Sequence, residues 1–168
     1  LKTGEYGPQK RVKFDGFRLA KDRQNVGERL KALAMSGDKA GKYFWEVTSD
    51  SLIYAANRVP EISDDIVNVD NAMKWGYGWE LGPFEAWDAI GLENSIERMV
   101  KEGKSIPQWV TDMIDSGQNK FHGFDSEGKT FFDLNSKKME PQVIKDKSLN
   151  LITEKAKGNL VKNGWSAS

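Results

Sequence analysis

The sequence predicts a mainly α-helical domain that ends in a small antiparallel sheet. Between residues 19 and 114, apolar residues recur at helical spacing, and each run ends at a Gly, Pro or Ser-Gly signal. After Gly117 the pattern changes to two short aromatic-rich runs, 120–124 and 129–134, separated by Asp-Ser-Glu-Gly. Such runs are typical of a β-hairpin. The predicted fold class is an antiparallel multi-helix domain with a C-terminal β-hairpin or meander.

Composition and charge exclude several classes of protein. The chain has 168 residues, enough for one domain with a substantial core or for one domain with an appendage. Its 25 Lys and Arg balance its 25 Asp and Glu, so there is no electrostatic case for nucleic acid as a partner. No apolar run is long enough to span a bilayer. The chain has no cysteine, which suits a reducing compartment, and we expect a cytoplasmic protein.

The sequence divides into three segments. Residues 1–17 are polar and have no sustained period, so we predict an extended lead-in. Residues 18–144 hold the periodic part, with the hairpin at 120–143. From 145 to 168 the chain is rich in lysine and less patterned, apart from one amphipathic segment at 148–157, and we predict a linker.

Six helices are predicted in the periodic part. The first ends at Ser36-Gly37, and Asp38 is placed to cap the second, which ends at Val59-Pro60 because proline disfavours continuation. Ser63 is the predicted cap of the third helix, which has an acidic first turn. The predicted buried positions in these three helices are Leu19, Val26, Leu30 and Leu33; then Ala40, Phe44, Val47, Tyr54 and Ala55; then Ile66, Val69, Ala72 and Met73.

The stretch from Asn71 to Gly91 is rich in tryptophan and glycine and predicts a helix, a tight loop and a second helix. We expect Met73 to close the first helix and Gly76 to occupy its C′ position, where a left-handed backbone is tolerated. Gly82-Pro83 supplies an N-cap followed by proline at the first helical position, and Glu85 falls at the third. The predicted apolar face of the second helix consists of Phe84, Trp87 and Ile90.

Two further helices and a third strand complete the periodic part. The fifth helix ends at Gly103, and the sixth begins at Pro107 and ends before Gly117. Their predicted buried residues are Ile96, Met99 and Val100, then Val110, Met113 and Ile114. Residues 135–138 predict a second turn, which leads to a third strand at 139–143.

The aromatic residues Trp75, Tyr77 and Trp79 fall in the predicted loop, and two interpretations stay open. They plug the gap between two helices, or they form part of an interface, where Trp and Tyr are enriched. The glycines of this loop superficially suggest a phosphate loop. The dinucleotide fingerprint, however, requires a different spacing after a strand, so helix capping is the stronger interpretation.

His122 is the only histidine and the one candidate for acid–base chemistry. Its aromatic neighbours suggest a strand, and a hydrogen-bonded structural role is favoured because a lone His needs convergent partners to form a site. A small hydrolase that uses His122 with Asp125 or Asp133 is a weaker hypothesis. The acidic residues after His122 do not match a calcium loop, and no metal site is predicted.

The order of residues through this stretch resembles the C-terminal helical domain of 3-hydroxyacyl-CoA dehydrogenases. The resemblance covers roughly 43–143, and it rests on Asp70-Asn71-Ala72-Met73-Lys74, Gly76, Glu80-Leu81-Gly82-Pro83-Phe84-Glu85, Asp88 and Gly91-Leu92. It implies a fold like the C-terminal domain of 6-phosphogluconate dehydrogenase. The residues that we assign to the family motif or to an interface are Trp75, Gly76, Trp79, Gly82, Pro83, Phe84, Glu85 and Asp88.

The resemblance also implies a division of labour. In the family, a Rossmann domain binds NAD and carries a catalytic His–Glu pair, and the catalytic helical copy adds an Asn-Arg step at the start of its long helix. Here the start of that helix, Lys39 to Trp45, offers no Asn, and Asn57-Arg58 comes about three turns too late. We therefore predict no catalytic, cofactor-binding or metal-binding residue in this chain, and a second, non-catalytic copy of the domain.

As such a copy, the chain would belong to a bacterial multifunctional β-oxidation protein, with a linker leading to an enoyl-CoA hydratase domain. Its implied partners are the preceding helical copy and the Rossmann domain, while NAD and acyl-CoA bind only in the parent. A homodimer of the isolated chain is a further expectation. The alternative is a free-standing helical interaction or scaffold domain that reuses the fold without the enzyme.

Overall fold

The computed structural model describes residues 12–126, 128–142 and 158, and it confirms a mainly helical chain with a small antiparallel sheet. Within the described residues there are seven helices and three strands. They are α1 (Asp15–Lys21), α2 (Val26–Ala34), α3 (Lys39–Ile62), α4 (Ile66–Tyr77), α5 (Pro83–Ile90), α6 (Leu92–Lys101), α7 (Gln108–Asp115), β1 (His122–Phe124), β2 (Lys129–Asp133) and β3 (Lys138–Pro141). None of these helices is long and apolar enough to cross a membrane.

The first predicted helix is in fact two helices. α1 begins at Asp15, inside the predicted lead-in, and ends at Lys21, whereas α2 begins at Val26. Asn25 interrupts the run because its backbone is extended and its side chain accepts a hydrogen bond from the amide of Glu28. The apolar residues keep helical spacing from α1 into α2, so their spacing alone did not reveal the break that Asn25 caps.

The long helix α3 begins as predicted and ends later than predicted. The Asp38 side chain caps it by accepting a hydrogen bond from the amide of Gly41. The helix continues through Pro60 to Ile62, although proline has no N–H to offer the carbonyl of Ala56. That carbonyl instead accepts a hydrogen bond of 3.0 Å from the indole of Trp109, so its hydrogen-bonding capacity is used from another helix.

The predicted buried face of α3 was wrong at two of its five positions. Val47 and Tyr54 are exposed, and the helix buries Trp45, Leu52 and Val59 in their place. Ala55 is buried as predicted. Both sides of α3 carry apolar residues at helical spacing, so periodicity alone could not identify the side that faces the core.

The helix α4 differs from the prediction at both ends. Asp65, and not Ser63, is its N-cap, because the Asp65 carboxylate accepts a hydrogen bond from the amide of Asn68. At its other end the helix continues past Met73 to Tyr77, and Gly78 is the residue in the left-handed conformation, with φ of 67°. Gly76 therefore lies inside the helix and has no capping role. On the predicted buried face, Ile66 is buried, Val69 and Met73 are half-buried, and Ala72 is exposed.

The remaining helices follow the predictions closely. Gly82 is the N-cap of α5, with Pro83 at its start, and Phe84, Trp87 and Ile90 are buried. α7 begins after Pro107 and buries Val110 and Met113. The exception is Val100 on α6, which is exposed, whereas Met99 beside it is fully buried.

The three strands form an antiparallel meander in the order β1-β2-β3, which confirms the predicted hairpin and third strand. Phe121, which precedes β1, is fully buried and packs its ring against Trp87, Phe84 and Trp109 at centroid distances of 5.4, 4.9 and 5.8 Å. This aromatic cluster joins the sheet to α5 and α7. The segment predicted as an amphipathic helix at 148–157 lies outside the described residues.

Candidate functional site

The candidate site is a network of charged side chains where α4, the start of α5 and the start of β1 meet. At its centre is Asp70 of α4, which is only 1% exposed. Its carboxylate accepts hydrogen bonds from the amides of Phe84 at 2.8 Å and Glu85 at 3.2 Å. The N-cap of α5 is a glycine and has no side chain, so a residue of the preceding helix caps α5 in its place.

The close contact between Gly82 and Asp70 explains why a glycine precedes Pro83. A β-carbon at Gly82 would lie 2.3 Å from the β-carbon of Asp70 and 2.4 Å from its α-carbon. Any larger residue would separate α4 from the start of α5. The glycine predicted as an N-cap is thus required mainly for this close approach of two chain segments.

Glu85 links the network to the end of α4. One carboxylate oxygen of Glu85 accepts a hydrogen bond of 3.0 Å from the amide of Gly82, and the other lies 2.9 Å from the ammonium of Lys74. Partial burial opposes ionisation of Glu85, but the hydrogen bonds from Lys74 and Gly82 hold its pKa below the ordinary value. Glu85 is therefore a charged member of the network at neutral pH.

Asp88, one turn further along α5, anchors the sheet. Its two carboxylate oxygens accept hydrogen bonds from the amides of Phe121 and His122, both at 2.8 Å. Burial raises the pKa of Asp88 to about 6, against the effect of these two hydrogen bonds. The Asp88 side chain thus holds the backbone at the start of β1 against α5. The family motif alone did not predict this contact.

His122 completes the network through its side chain. Its Nε2 lies 2.8 Å from the Oδ2 of Asp70, and the side chain is 21% exposed. The partner that the structure gives to His122 is therefore Asp70, a residue that the sequence analysis did not consider for this role. The prediction that His122 is a hydrogen-bonded histidine is confirmed.

A histidine paired with a buried carboxylate is also the arrangement of many general bases. Here, however, both oxygens of Asp70 already accept hydrogen bonds from the start of α5. An open groove beside His122 is lined by Lys120, Thr130 and Met139, among others. In the described part of the chain, no group of three or more His, Cys, Asp or Glu side chains is arranged to hold a metal ion. The Asp70 carboxylate is thus shared between the start of α5 and His122.

A signal for Asp70 was present in the sequence. Asp70 follows Ile66 by four residues, so the two share one face of α4, and Ile66 is fully buried. An acidic residue on a buried helical face needs a specific hydrogen-bonding partner. That partner is the start of a helix fourteen residues later, which no local pattern could identify.

The aromatic residues near the end of α4 lie at the surface. Trp75 and Tyr77 belong to the helix and are 78% and 75% exposed, and Trp79 in the following loop is 47% exposed. The interpretation that they plug a gap between two helices was wrong, because they would then be buried. Trp75, Trp79 and the exposed Gly76 are separate from the buried residues Gly82, Pro83 and Phe84. The predicted motif residues therefore fall into a surface group and a junction group.

Asn57 and Arg58 lie in the last third of α3, far from its first turn. The Asn57 side chain donates a hydrogen bond to the carbonyl of Ile53 on the same helix. Arg58 stacks over the ring of Tyr54 and forms an ion pair with Glu61, while its Nε is buried without a hydrogen-bond partner. Both residues are thus engaged within their own helix.

Comparison with known proteins relates this chain to dehydrogenases of fatty-acid oxidation. Over 165 residues it is 38% identical to a probable 3-hydroxyacyl-CoA dehydrogenase of Bacillus subtilis, a match that covers 98% of this chain and 21% of the relative. Shorter segments are 43% and 35% identical to putative fatty acid oxidation complex trifunctional enzymes of Rickettsia felis and Rickettsia prowazekii. These matches cover 33% and 43% of this chain, and 8% and 10% of the relatives.

The chain therefore spans about a fifth of the Bacillus subtilis protein and is homologous to one segment of it. The names of the relatives agree with the resemblance to 3-hydroxyacyl-CoA dehydrogenases that the motif around Gly82 suggested. No family model matches the chain. No solved structure matches it either.

Proposed function

We propose that this chain is an accessory helical domain of an NAD-dependent 3-hydroxyacyl-CoA dehydrogenase of fatty-acid β-oxidation. In this proposal it is the second, non-catalytic copy of the family's helical domain, with a fold like the C-terminal domain of 6-phosphogluconate dehydrogenase. It buttresses the catalytic copy and the acyl-CoA cleft, and it does not transfer hydride by itself. NAD and acyl-CoA bind to other parts of the parent protein.

The observation that carries the proposal is the identity of 38% over 98% of this chain to a fifth of a dehydrogenase. A segment that is similar from end to end, yet covers a minor part of its relative, has the dimensions of one domain of a larger enzyme. The described residues agree with a supporting role. Asp70, Glu85, Asp88 and His122 all take part in contacts that join α4, α5 and β1.

The start of α3 supports a non-catalytic copy. Its first turns, Lys39 to Trp45, contain no asparagine, and Asn57 is exposed and bonded to its own helix. The family resemblance implies an Asn, in an Asn-Arg step, at the start of this helix in the catalytic copy. A chain without that residue can still pack against a catalytic neighbour.

The exposed aromatic residues Trp75, Tyr77 and Trp79 form the proposed contact with the preceding helical copy. Exposed tryptophans in such a short stretch are unusual for a surface that faces only water, and Trp and Tyr carry much of the energy in interfaces. All three rings are exposed, so a partner can reach them.

A chimeric enzyme tests the proposal. The segment of the Bacillus subtilis protein that matches this chain is replaced by this chain, and NADH formation from a 3-hydroxyacyl-CoA is measured. We expect the chimera to retain dehydrogenase activity. Trp75→Ala with Trp79→Ala should lower the activity on the order of tenfold, as loss of an interface anchor does. The matched control, Tyr43→Ala with Tyr54→Ala, removes exposed aromatic rings from α3 and should leave the activity unchanged.

A second measurement separates the accessory role from catalysis by the chain alone. The isolated chain is titrated with NAD by calorimetry and assayed for dehydrogenase activity. We expect neither saturable heat nor activity. Saturable binding at micromolar NAD would reject the assignment of NAD binding to other parts of the parent.

A free-standing helical interaction domain is the second candidate, and the exposed Trp75, Tyr77 and Trp79 also favour it. The sequence that flanks the chain in its gene distinguishes the two candidates. Rossmann and helical-copy sequence upstream of Leu1 supports the accessory domain. An inactive but folded chimera would favour the interaction domain.

A further inference from the structure

A small cavity lies between α7 and the turn that joins β2 to β3. Its volume is about 200 Å³, and its walls are the side chains of Trp109, Met113, Phe132 and Leu134. An apolar cavity of ~150 Å³ in another protein stays dry and admits benzene, so this space is large enough for a short alkyl chain. None of the contacts described for the junction of α4, α5 and β1 involves these walls.

The walls of the cavity are fixed by contacts elsewhere in the core. The indole of Trp109 donates its hydrogen bond to the carbonyl of Ala56, and its ring packs against Phe84 and Phe121. Met113 and Phe132 are 1% and 3% exposed. Side chains held in this way can close the space only in part, so an apolar guest gains contacts that the empty cavity lacks.

The rim of the cavity is polar and consists of Asp112, Ser116 and Lys137. Asp112 already accepts a hydrogen bond of 2.8 Å from the side chain of Gln108. Lys137, by contrast, has no ion pair among the described residues. The rim therefore carries one carboxylate, which is hydrogen-bonded by Gln108 through one oxygen, and one ammonium, that of Lys137.

The position of Lys137 is fixed by the turn. Its φ is 55°, in the left-handed region that non-glycine residues seldom occupy, and its amide donates a hydrogen bond of 2.9 Å to the carbonyl of Asp133. The Asp133 carboxylate also accepts a hydrogen bond of 2.7 Å from the amide of Ser136. The turn is thus held at both ends, which places the α-carbon of Lys137 at the cavity rim.

We propose that this cavity binds a small amphiphile with an alkyl body of about six carbons and an anionic head, such as a short-chain carboxylate. The alkyl chain lies against Trp109, Met113 and Phe132, and the head group meets the ammonium of Lys137. Apolar contact provides most of the affinity, and the charge selects anionic over cationic heads. This site is independent of the proposed contact through Trp75 and Trp79.

The probes for a test are hexanoate, hexanol and hexylamine, which share one chain and differ in the head group. The whole chain is titrated at neutral pH while the ε-methyl resonance of Met113 is followed by NMR. We expect saturable shifts with hexanoate and a Kd on the order of 1–10 mM, which suits a ligand of this size. Hexylamine should bind at least ~fivefold more weakly, because its head repels Lys137 and meets only the one oxygen of Asp112 that Gln108 leaves open. Absence of saturation, or equal binding of hexylamine, overturns the proposal.

Paired variants locate the binding. Ser116→Trp fills the cavity mouth and should abolish the shifts, whereas Ser105→Trp, at an exposed serine that does not line the cavity, should preserve them. Lys137→Gln should weaken hexanoate and leave hexanol unchanged, and Lys138→Gln should affect neither. All four changes are at exposed positions, so the fold is retained. Binding that survives Ser116→Trp would mean that the cavity is not the site.

Discussion

The α-carbon of Asp70 lies so close to Gly82 that a β-carbon added to the glycine would come within 2.4 Å of it. The obstructing atom belongs to the backbone of α4, so it cannot move aside as the end of a flexible side chain can. The same approach brings the Asp70 carboxylate to the amides of Phe84 and Glu85. The tight backbone contact and the helix cap are therefore parts of a single junction.

Gly82→Ala should destabilise the protein by about 2–3 kcal/mol, because the added methyl group has to displace α4 or the start of α5. The free energy of unfolding is measured by urea denaturation. Gly76→Ala is the matched control, since nothing lies within 4 Å of a β-carbon there and the residue is inside α4. It should stabilise the protein by about 0.5–1 kcal/mol. Equal stabilities of the two variants would contradict the close approach.

Asp70→Ala should cost about 3 kcal/mol or more, because it leaves the buried amides at the start of α5 and the His122 ring without their acceptor. Asp70→Asn keeps one carbonyl oxygen, so its stability should lie between that of Asp70→Ala and that of the wild type. Asp64→Ala, at an exposed carboxylate beside the start of α4, should change the stability by less than about 0.5 kcal/mol. A thermal or urea unfolding series on all three variants makes the comparison.

Titration of the Asp88 carboxyl should lower the free energy of unfolding as the pH rises from about 4 to about 6. Its pKa is about 6 in the folded chain and 3.8 in its ordinary state, because burial disfavours the charged form. The folded state therefore holds the proton more tightly, and that advantage is lost as the pH rises through this window. The two pKa values differ by about two units, which corresponds to a loss of at most about 3 kcal/mol in the free energy of unfolding.

The contribution of Asp88 is isolated by comparison with Asp88→Asn across this pH range. The stability of the wild type minus that of the variant should fall between pH ~4 and ~6 and stay level above pH ~6. Asp115→Asn, on the exposed part of α7, controls for removal of one negative charge. A difference curve for Asp88→Asn that rises with pH would show that the folded carboxyl is not held in its protonated form.

The isolated chain should self-associate at micromolar concentration, because the aromatic surface of Trp75, Tyr77 and Trp79 has no neighbour in it. Light scattering measures the mass. Trp75→Ser with Trp79→Ser should produce a monomer without loss of stability, since Trp75 is largely exposed and Trp79 is half exposed. Tyr43→Ser with Tyr54→Ser should leave the association unchanged. A wild-type chain that is strictly monomeric would count against the interface.

The sequence contained enough information for the local parts of the fold. The start of α5 at Gly82-Pro83 and the hairpin between β1 and β2 were predicted because each depends on turn and cap residues that are adjacent in the chain. The end of α4 was misjudged because two nearby glycines, Gly76 and Gly78, could each have adopted the left-handed conformation. Only the packing of the whole helix decides between them.

The features that were predicted wrongly or missed depend on residues far apart in the chain. α3 continues through Pro60 because the carbonyl of Ala56 is hydrogen-bonded by Trp109, which lies 53 residues from Ala56. The two apolar sides of α3 could be told apart only once its neighbours were in place. Asp70 and His122, the pair at the centre of the candidate site, lie 52 residues apart. Such tertiary contacts leave no local periodic signal.

The capping of α5 by Asp70 has a consequence for the order of folding. α5 has only eight residues, and its own N-cap residue offers no side-chain oxygen. A helix of this length is marginal in isolation because nucleation is costly. Its start is completed by α4 and its face is held to β1 by Asp88, so we expect α5 to form only when its neighbours dock. The segment with the clearest family motif would then be among the last helices to acquire native structure.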